Sequence, residues 1–474
     1  MGQGVSGASA YAGAYIHKQE VFTLGRLFGT DGVRGVANKE LTADLAFDLG
    51  RAGAIVLTQE LSHKPKILVG KDTRLSGDML ECALAAGICS TGAEVVLLGV
   101  IPTPAVAYLV REYGADAGVV ISASHNPFEY NGIKFFNGQG YKLSDSVEER
   151  IEELILDRED WGVELPVGGG IGHVTRAEHA ADDYIKFVTG AIDCTLDGMR
   201  LLVDCSNGAN SAIAPRAFSQ LGAYVECLSV EPDGVNINKD CGSTHIDRLE
   251  QQIKNGGSFS AGIAFDGDAD RMLAVDETGK RLTGDEIMLI VGKSLKENGK
   301  LAKDTITATV MSNLGFFLAA EKLGIKTAQT AVGDRYVLEE MLRSGYVLGG
   351  EESGHIIFLD HNSTGDGLLS ALLLLEVMQK TGKPLSELRK IVTILPQVLV
   401  NARVKNENKP QLKENEKILG EIAALEAELA GNGRVLIRPS GTEPVVRVML
   451  EGSDTDYLTE KAQALATLIE ELLG

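Results

Sequence analysis

The sequence lacks an apolar run of the roughly 18–20 residues that a helix needs to span a bilayer. Its densest apolar stretch, ALLLLEVM at residues 371–378, is interrupted by Glu376. Positive charge is also scarce, because 45 Lys and Arg residues stand against 66 Asp and Glu residues, for a net charge of −21. Such an acidic chain repels phosphate backbones and anionic lipid surfaces. We therefore expect neither a nucleic-acid partner nor a membrane partner.

Cysteine is sparse as well. The chain has six cysteines in 474 residues, and no two of them form a Cys-x-x-Cys pair. This number is too small for a disulfide scaffold, so we predict a reducing, cytoplasmic location. Residues 1–24 lack a basic segment and a sustained apolar stretch, which makes them a poor signal peptide. We interpret residues 1–24 as an extension outside the fold.

Short apolar strands alternate with helical segments through most of the chain. This pattern starts near Lys66 and restarts at Arg200 and at Thr305. Strand–helix alternation is typical of parallel strands joined by helices. From about Leu395 the pattern changes to strands, a charged helix over 412–429 and a final amphipathic helix over 456–473. The sequence therefore predicts three α/β units and a smaller α+β unit.

A polar turn with a central serine follows the apolar strand at 118–121. The turn is SASHNP at residues 122–127, and Pro127 cannot continue a sheet ladder. Ser124 and His125 therefore lie at the carboxyl end of a strand, where open α/β sheets bind ligands. An ordinary polar turn is the alternative. No Gly-x-Ser-x-Gly elbow surrounds Ser124, so we do not expect a hydrolase triad.

Three carboxylates alternate along the loop DGDADR, which follows the apolar run at 261–265. Asp266, Asp268 and Asp270 can converge on one hard cation, and we predict Mg²⁺. An EF-hand would require glycine where Arg271 stands, and Arg271 can instead offset part of the negative charge. The loop could also belong to a haloacid-dehalogenase-type phosphatase with Asp266 as its nucleophile, or it could be a solvated acidic turn.

A turn near the carboxyl terminus combines hydroxyl groups, a glycine amide and two guanidinium groups. Arginine binds phosphate oxygens in a bidentate manner, and backbone amides in a turn form an anion nest. An ordinary Ser-Gly turn with solvated arginines is the alternative. The candidate anion ligands are Arg438, Ser440, Gly441, Thr442 and Arg447.

A glycine-flanked turn, GGEESGH at residues 349–355, carries two carboxylates, a hydroxyl and an imidazole. Glu351, Ser353 and His355 can exchange hydrogen bonds with sugar hydroxyl groups. An acidic surface turn is the alternative. The weaker signal GDRY at 333–336 places the cation Arg335 at a loop edge.

Six motifs occur in one order: FGTDGVRG at 28–35, the Ser124 turn, NGIK at 131–134, and the loops at Asp266, Glu351 and Arg438. This order resembles the α-D-phosphohexomutase superfamily, most closely the bacterial phosphoglucosamine mutases, over residues 25–474. The resemblance implies three topologically related α/β domains with mixed sheets plus a smaller α+β C-terminal domain, arranged around a central cleft. The implied domains are the phosphoserine domain (25–180), the metal-binding domain (181–280), the sugar-binding domain (281–391) and the phosphate-binding domain (392–474).

The resemblance also implies residue roles. Ser124 is expected to carry the phosphoryl group as phosphoserine and, with the three aspartates, to hold one Mg²⁺. Arg34, Lys134 and His125 are expected to assist catalysis, and the general acid and base stay open between Lys134 and His355. The expected substrate ligands are Arg271, Arg335, Glu351, Ser353, His355, Arg438, Ser440, Gly441, Thr442 and Arg447.

The reaction implied by the resemblance interconverts glucosamine 6-phosphate and glucosamine 1-phosphate through a primed 1,6-bisphosphate, on the route to UDP-N-acetylglucosamine and cell-wall precursors. A phosphoglucomutase or phosphomannomutase, an aspartate-nucleophile phosphatase and a sugar-phosphate binding protein without turnover are the alternatives. The resemblance allows a homodimer and an activating kinase.

Two further expectations concern charge. The chain has Glu352 where the glucosamine branch usually has glutamine, and this carboxylate could pair with a sugar ammonium group. Because the site must hold two phosphates, we also expect its cations to gather there. These cations are Arg34, Lys71, Arg74, Lys134, Arg335, Arg438 and Arg447.

Overall fold

The computed structural model describes residues 26–29, 31–157, 164–429, 431–440 and 444–474. The predicted extension, residues 1–24, lies outside this range. The described chain forms two compact units, of which one comprises residues 26–311 and 323–391 and the other residues 312–322 and 392–474. No helix in the described part of the chain combines the length and the apolar character needed to cross a membrane.

The first sheet of the larger unit is mixed. Its central strands are apolar and buried along most or all of their length, as expected for parallel strands covered on both faces. The strands are β1 (Val33–Val36), β2 (Lys66–Lys71), β3 (Glu94–Val100), β4 (Ala117–Ile121), β5 (Tyr130–Asn137) and β6 (Val174–Arg176). Their spatial order is β1-β5-β4-β2-β3-β6, with β5 antiparallel to both of its neighbours.

Helices cover this first sheet. Helix α1 begins after Thr42, whose hydroxyl accepts a hydrogen bond of 3.1 Å from the Leu45 amide and so caps the helix. The helices are α1 (Ala43–Thr58), α2 (Gly77–Cys89), α3 (Thr103–Glu112), α4 (Asp145–Leu156) and α5 (Ala180–Thr189), with a 3₁₀ turn at Gly168–Gly170. Apolar side chains from α1, α2 and α4 pack with those of β2 and β4 in one hydrophobic core.

The second sheet has the order β11-β10-β9-β7-β8. Strand β7 pairs in parallel with β8 and β9, and β10 pairs antiparallel with β9. Its elements are β7 (Arg200–Asp204), α6 (Ala214–Gln220), β8 (Tyr224–Leu228), a 3₁₀ turn (Ser243–His245), α7 (Asp247–Gly256), β9 (Ala261–Phe265), β10 (Met272–Asp276) and β11 (Arg281–Leu282).

The third sheet has the order β13-β12-β14-β15, again with two parallel pairs and a final antiparallel strand. Helix α9 belongs to the smaller unit, although it connects two strands of this sheet. The elements are α8 (Gly284–Glu297), a 3₁₀ turn (Ala302–Asp304), β12 (Thr305–Thr309), α9 (Leu314–Lys322), β13 (Lys326–Thr330), α10 (Asp334–Ser344), β14 (Leu348–Gly350), β15 (Ile356–Phe358), α11 (Gly367–Thr381), α12 (Leu385–Leu388) and a 3₁₀ turn (Arg389–Ile391).

One arrangement of four strands occurs in all three sheets. In each sheet the first strand of the repeat lies between the second and the third, and the fourth strand is antiparallel to the third. The repeats are β2-β3-β4-β5, β7-β8-β9-β10 and β12-β13-β14-β15. The prediction of three topologically related α/β domains with mixed sheets is thus confirmed.

The smaller unit contains an antiparallel sheet of order β16-β18-β17. Its elements are β16 (Gln397–Arg403), a 3₁₀ helix (Asn406–Lys413), α13 (Glu416–Leu429), β17 (Arg434–Pro439), β18 (Val445–Glu451) and α14 (Thr455–Leu473). The predicted α+β class of this region is confirmed, but the helix expected from residue 412 begins at Glu416. Asn415 Oδ1 accepts hydrogen bonds from the Lys417 amide at 3.1 Å and from the Ile418 amide at 3.3 Å and so caps the helix there. The preceding segment, Asn406–Lys413, forms a 3₁₀ helix. Helix α9 joins this unit through the Leu314 amide, which donates to Glu451 Oε2 at 3.0 Å.

Candidate active site

The three repeats place their polar loops at equivalent positions. In each repeat the loop joins the third strand to the antiparallel fourth strand. The β4–β5 loop carries Ser124, the β9–β10 loop carries the three aspartates, and the β14–β15 loop carries Glu351 and His355. Three predicted motifs therefore occupy the same structural position in three related sheets.

Ser124 is the point at which two of these loops meet. Its side chain is buried, and Ser124 Oγ donates a hydrogen bond of 2.8 Å to Asp266 Oδ2. The backbone of Ser124 has φ of 52°, in the left-handed region that a non-glycine residue rarely occupies. The Ser124 carbonyl accepts hydrogen bonds from Arg74 Nη2 at 2.9 Å and from Asn238 Nδ2 at 2.8 Å. These bonds to the backbone stabilise the strained conformation of the serine loop.

The absence of a side chain at Gly267 allows the serine and aspartate loops to approach. A Cβ atom at this position would lie 2.6 Å from the Ser124 carbonyl oxygen and 2.8 Å from Asn238 Nδ2. Such distances are well below van der Waals contact, so only glycine fits without displacement of one loop. The distance between the serine hydroxyl and the carboxylates therefore depends on Gly267.

Asp266, Asp268 and Asp270 form a compact acidic cluster. One ligand oxygen from each lies within 4.8 Å of the others, and all three residues are buried. Asp268 Oδ1 and Asp270 Oδ1 are buried without a hydrogen-bond partner among the described residues. Three carboxylates buried this close together are costly to ionise unless a cation binds between them. The donor set therefore fits a hard divalent cation such as Mg²⁺.

The pKa values of the cluster show how crowded its charges are. Burial, together with the carboxylates of Asp270 and Asp268, raises the pKa of Asp266 well above its usual range. Burial also opposes ionisation of Asp268, but the adjacent Lys134 ammonium outweighs it and lowers the pKa of Asp268. Lys134 Nζ lies 2.8 Å from Asp268 Oδ2 and 2.8 Å from Asp31 Oδ2. Arg34 forms an ion pair with the same Asp31 oxygen.

His125 contacts both the serine hydroxyl and Arg271. His125 Nδ1 lies 3.4 Å from Ser124 Oγ and 3.2 Å from Arg271 Nη1. Burial and the positive charges of Arg271 and Arg34 lower the pKa of His125, which favours its neutral form. The structure therefore brings both predicted residues to Ser124.

The loop predicted to bind sugar lies against the aspartate loop. His355 is buried, and its Nε2 atom lies 3.9 Å from Asp270 Oδ2 and 3.6 Å from Asp334 Oδ2. Glu351 Oε1 accepts a hydrogen bond of 3.1 Å from the Gly333 amide, and Ser353 is exposed. Both nitrogens of the His355 ring lack a hydrogen-bond partner among the described residues.

Arg335, in helix α10, lies close to three carboxylates. Its guanidinium pairs with Asp145, lies 3.8 Å from Glu148 Oε2, and donates from Nε to Glu339 Oε1 at 3.1 Å. Arg335 therefore joins α10 to α4 in this structure.

Two of the cations expected at the site are bound by groups of the protein itself. The Arg74 side chain is fully buried and bonds to the Asp72 carboxylate and to backbone carbonyls, including that of Ser124. Lys71 Nζ is bound at 2.6 Å by both Asp78 and Glu81 of helix α2. Arg74 thus lies beside Ser124 and supports the serine loop through its backbone, and the expectation that all seven cations gather at the site stays a prediction.

The predicted anion ligands lie in the smaller unit, where Gly441 and Thr442 fall outside the described residues. Arg438 and Arg447 are directly opposite each other across β17 and β18. Directly opposed residues of an antiparallel pair share one face, and like charges there repel. Ser440, which follows β17, donates its amide to the Val445 carbonyl at 2.9 Å.

Several residues that shape this site have no role predicted from the sequence. Asp31 and Asp334 lie inside motifs that the sequence shows, FGTDGVRG and GDRY, but the predicted site residues of those motifs are Arg34 and Arg335. Thr103 Oγ1 donates to Asp268 Oδ2 at 2.7 Å, and Lys142 Nζ binds Asp31 Oδ1 at 2.6 Å. Neither Thr103 nor Lys142 has a local sequence signal, because its partner is distant in the chain.

Family models and full-length relatives match the chain. The models are described as phosphoglucomutase/phosphomannomutase alpha/beta/alpha domains I, II and III, at residues 25–160, 182–279 and 283–394, and as the C-terminal domain of the same group, at 399–468. The chain is 59% identical over 451 residues to phosphoglucosamine mutase from Acetivibrio thermocellus, which covers 95% of this chain and 100% of that protein. It is also 59% identical over 450 residues to phosphoglucosamine mutase from Clostridium acetobutylicum, covering 94% and 99%.

Solved structures share the fold. A phosphoglucomutase/phosphomannomutase family protein from Burkholderia thailandensis superposes with a TM-score of 0.78 at 26% identity, covering 93% of this chain and 97% of that one. N-acetylphosphoglucosamine mutase from Aspergillus fumigatus, solved with GlcNAc-6P and magnesium, superposes with a TM-score of 0.68 at 17% identity, covering 95% and 96%.

Proposed function

This chain belongs to the phosphoglucosamine mutases of the α-D-phosphohexomutase superfamily, and we propose that it interconverts glucosamine 6-phosphate and glucosamine 1-phosphate through phosphoserine at Ser124. Membership of this family makes the chain an isomerase that transfers a phosphoryl group within one substrate. The single observation that carries the proposed mechanism is the contact between Ser124 Oγ and Asp266 Oδ2. It joins a candidate phosphoryl carrier to a candidate metal site.

The proposed reaction has two transfers. In the first, the bond between phosphorus and Ser124 Oγ breaks as a bond forms from phosphorus to the free sugar hydroxyl, whose proton passes to a general base. The product is glucosamine 1,6-bisphosphate, which turns over in the site. In the second transfer, the bond between the other phosphorus and its sugar oxygen breaks as a bond forms from that phosphorus to Ser124 Oγ, and the general acid gives a proton to the released sugar oxygen. The same bisphosphate, or a similar one, primes Ser124.

The residues around Ser124 have charges that suit these transfers. A bound Mg²⁺ would neutralise charge on the transferred phosphoryl group, and Asp266, Asp268 and Asp270 are its proposed protein ligands. Lys134, held between two carboxylates, supplies a fixed positive charge beside them. His355, whose ring nitrogens have no hydrogen-bond partner among the described residues, is the better candidate for the general acid and base.

The remaining residues are proposed to bind the substrate. Glu351, Ser353 and His355 would contact the sugar, and Arg271 would offset the negative charge of the aspartates. Arg438 and Arg447, opposed on one sheet face, would bind the phosphate that is not reacting, together with the Ser440–Thr442 turn. The division at residues 25–180, 181–280, 281–391 and 392–474, the cytoplasmic location, a homodimer and an activating kinase stay predictions.

A coupled assay of the full chain tests the function. With Mg²⁺ and glucose 1,6-bisphosphate as primer, we expect turnover of glucosamine 6-phosphate to exceed that of glucose 6-phosphate and mannose 6-phosphate. Ser124→Ala should reduce turnover at least about a thousandfold, because no other group carries the phosphoryl. Ser146→Ala, at an exposed site on α4, is the matched control and should retain activity.

Each competing function predicts a different result. An aspartate-nucleophile phosphatase would release inorganic phosphate, and the Ser124→Ala variant would retain that activity. A sugar-phosphate binding protein would show no turnover even with the primer. A phosphoglucomutase or phosphomannomutase would prefer glucose 6-phosphate or mannose 6-phosphate.

A further inference from the structure

One carboxylate binds three cations beside the candidate site. Asp31 Oδ2 accepts a hydrogen bond of 2.8 Å from Lys134 Nζ and pairs with Arg34, while Asp31 Oδ1 accepts one of 2.6 Å from Lys142 Nζ. These cations hold the pKa of Asp31 well below its usual range in spite of burial. Asp31 is therefore ionised, and both of its oxygens are occupied.

Lys142 links Asp31 to the third repeat. The Lys142 ammonium also pairs with Asp334, at the first turn of α10, and Asp334 Oδ2 lies 3.6 Å from His355 Nε2. Acidic and basic side chains therefore alternate from the aspartate loop to Asp334, which lies beside His355 in the loop predicted to bind sugar. The alternating side chains are Asp268, Lys134, Asp31, Lys142 and Asp334.

Asp31 contacts two cations, Arg34 and Lys134, whose other contacts differ. Arg34 uses Nη2 for Asp31, while its Nε atom is buried without a hydrogen-bond partner among the described residues. A guanidinium anchored at one nitrogen can direct another toward a phosphate oxygen. Lys134 is nearly fully buried, and its ammonium is shared between Asp31 and Asp268. One carboxylate thus contacts both Arg34 and Lys134.

We propose that Asp31 is a positioning residue that holds Arg34 and Lys134 beside the serine–aspartate pair, and that Lys142, anchored by Asp334, holds Asp31. This inference rests on the proposed function, since it assigns a role in phosphoryl transfer. Well-placed charges at a reacting centre require support from neighbouring groups, and a displacement of about 1 Å can reduce a rate about a hundredfold.

The charges of Asp31 and Lys142 should have opposite effects on the affinity for Mg²⁺. Asp31 adds a negative charge near the aspartate cluster, which attracts a divalent cation, whereas Lys142 adds a positive charge that repels it. Removing each charge should therefore shift Mg²⁺ affinity in opposite directions. Damage to the fold alone would weaken binding in both variants.

The first experiment is calorimetric titration of Mg²⁺ into the metal-stripped full chain. Asp31→Asn, which keeps the size of the side chain, should weaken Mg²⁺ binding about tenfold, and Lys142→Met should strengthen it about threefold. Asp276→Asn is the matched control, because Asp276 is a buried carboxylate paired with Arg389 in the same unit. The control should leave Mg²⁺ affinity unchanged. Equal shifts in both charge variants, or none, would overturn the inference.

The second experiment measures mutase kinetics on the same variants. Asp31→Asn should lower kcat about a hundredfold and change KM for glucosamine 6-phosphate less than about threefold, because it disturbs the transfer and leaves the sugar contacts intact. Lys142→Met should lower kcat less, and Lys142→Arg should restore it. In the Asp31→Asn background, Lys142→Met should add little, because Lys142 acts through Asp31.

The two experiments separate the inference from the proposed function. If the wild-type chain fails to isomerise glucosamine 6-phosphate, the proposed function fails, and the signs of the Mg²⁺ shifts still decide the role of Asp31. If the wild-type chain is active and Asp31→Asn matches the kcat of Asp276→Asn, the positioning role is overturned and the function stands.

Discussion

Ser124 and Asp266 are 142 positions apart in the chain, yet Ser124 Oγ donates a hydrogen bond of 2.8 Å to Asp266 Oδ2. The two residues occupy equivalent loops of two related repeats, each following the third strand of its sheet. The contact is possible because Gly267 lets the loops approach and because Arg74 holds the Ser124 carbonyl. A hydroxyl and an acidic cluster from separate sheets thereby form one site.

Mg²⁺ should stabilise the chain. Three buried carboxylates repel one another, and a divalent cation relieves this repulsion only in the folded state. At a Mg²⁺ concentration about 100 times Kd, the free energy of unfolding should rise by about 2.7 kcal/mol. Differential scanning calorimetry with and without chelator measures the shift in Tm.

Asp268→Asn should abolish this Mg²⁺-dependent shift. Asp233→Asn, at an exposed carboxylate, is its control and should preserve the shift. A stabilisation that persists in Asp268→Asn, or that KCl reproduces at equal ionic strength, would contradict the assignment of the metal site.

Gly267→Ala should lower both stability and kcat, although it adds only one methyl group. The added methyl group meets the Ser124 carbonyl oxygen, so we expect a loss of stability of about 1–3 kcal/mol and a fall in kcat of about a hundredfold. Gly420→Ala is the matched control, because Gly420 is exposed in α13 and a methyl group there meets no atom within 4 Å. It should stabilise the chain by about 0.5–1 kcal/mol and leave kcat unchanged. Similar kcat values for the two variants would argue against a close approach at Gly267.

Glu148 should make stability depend on pH. Burial raises the pKa of Glu148 to about 7, although Arg335 partly offsets the effect. A carboxyl group with a raised pKa in the folded state stabilises that state below its unfolded pKa, and this contribution is lost as the pH rises through 7. The free energy of unfolding of Glu148→Gln should therefore exceed that of wild type by about 1–2 kcal/mol at pH 8, after allowance for partial exposure. Below pH of about 4.5 the two values should be equal.

Urea unfolding between about pH 4.5 and pH 8 measures this difference. Glu149→Gln is the control, because Glu149 is the exposed neighbour on the same helix and its replacement should not alter the pH profile. A constant difference between Glu148→Gln and wild type across this range would show that Glu148 titrates normally.

Glu352 is expected to favour the amino sugar. A carboxylate forms an ion pair with the ammonium group at C2 of glucosamine 6-phosphate, whereas it accepts only a weaker hydrogen bond from the uncharged C2 hydroxyl of glucose 6-phosphate. Glu352→Gln should therefore lower the ratio of kcat/KM for glucosamine 6-phosphate over glucose 6-phosphate, by about tenfold. Steady-state kinetics on both sugars measures the ratio, and an unchanged ratio removes Glu352 from sugar selection.

The sequence is informative where chemistry and local pattern coincide. The strand preceding Ser124 and the strand preceding Asp266 are short apolar runs ending in polar turns, so their loops are predictable. The sequence shows Gly267 as part of a motif. It does not show why glycine is needed there, because the atom that a side chain would meet belongs to a loop of another sheet.

Residues that act through distant partners are not predictable from local pattern. Arg74 is expected among the cations that gather at the site, but the sequence does not show which groups it binds. The structure shows that its side chain is buried and bound to carbonyl oxygens, which residue type alone does not reveal. Lys142 has no local signal, since its two carboxylate partners lie 111 and 192 positions away.

The backbone of Ser124 limits which residue could supply the proposed nucleophile. A threonine offers the same hydroxyl group, but a β-branched side chain is strongly disfavoured at φ of 52°. Evolution could therefore not exchange one alcohol for the other here without rebuilding the turn. A kinase that distinguishes the two would meet only the primary alcohol at this position.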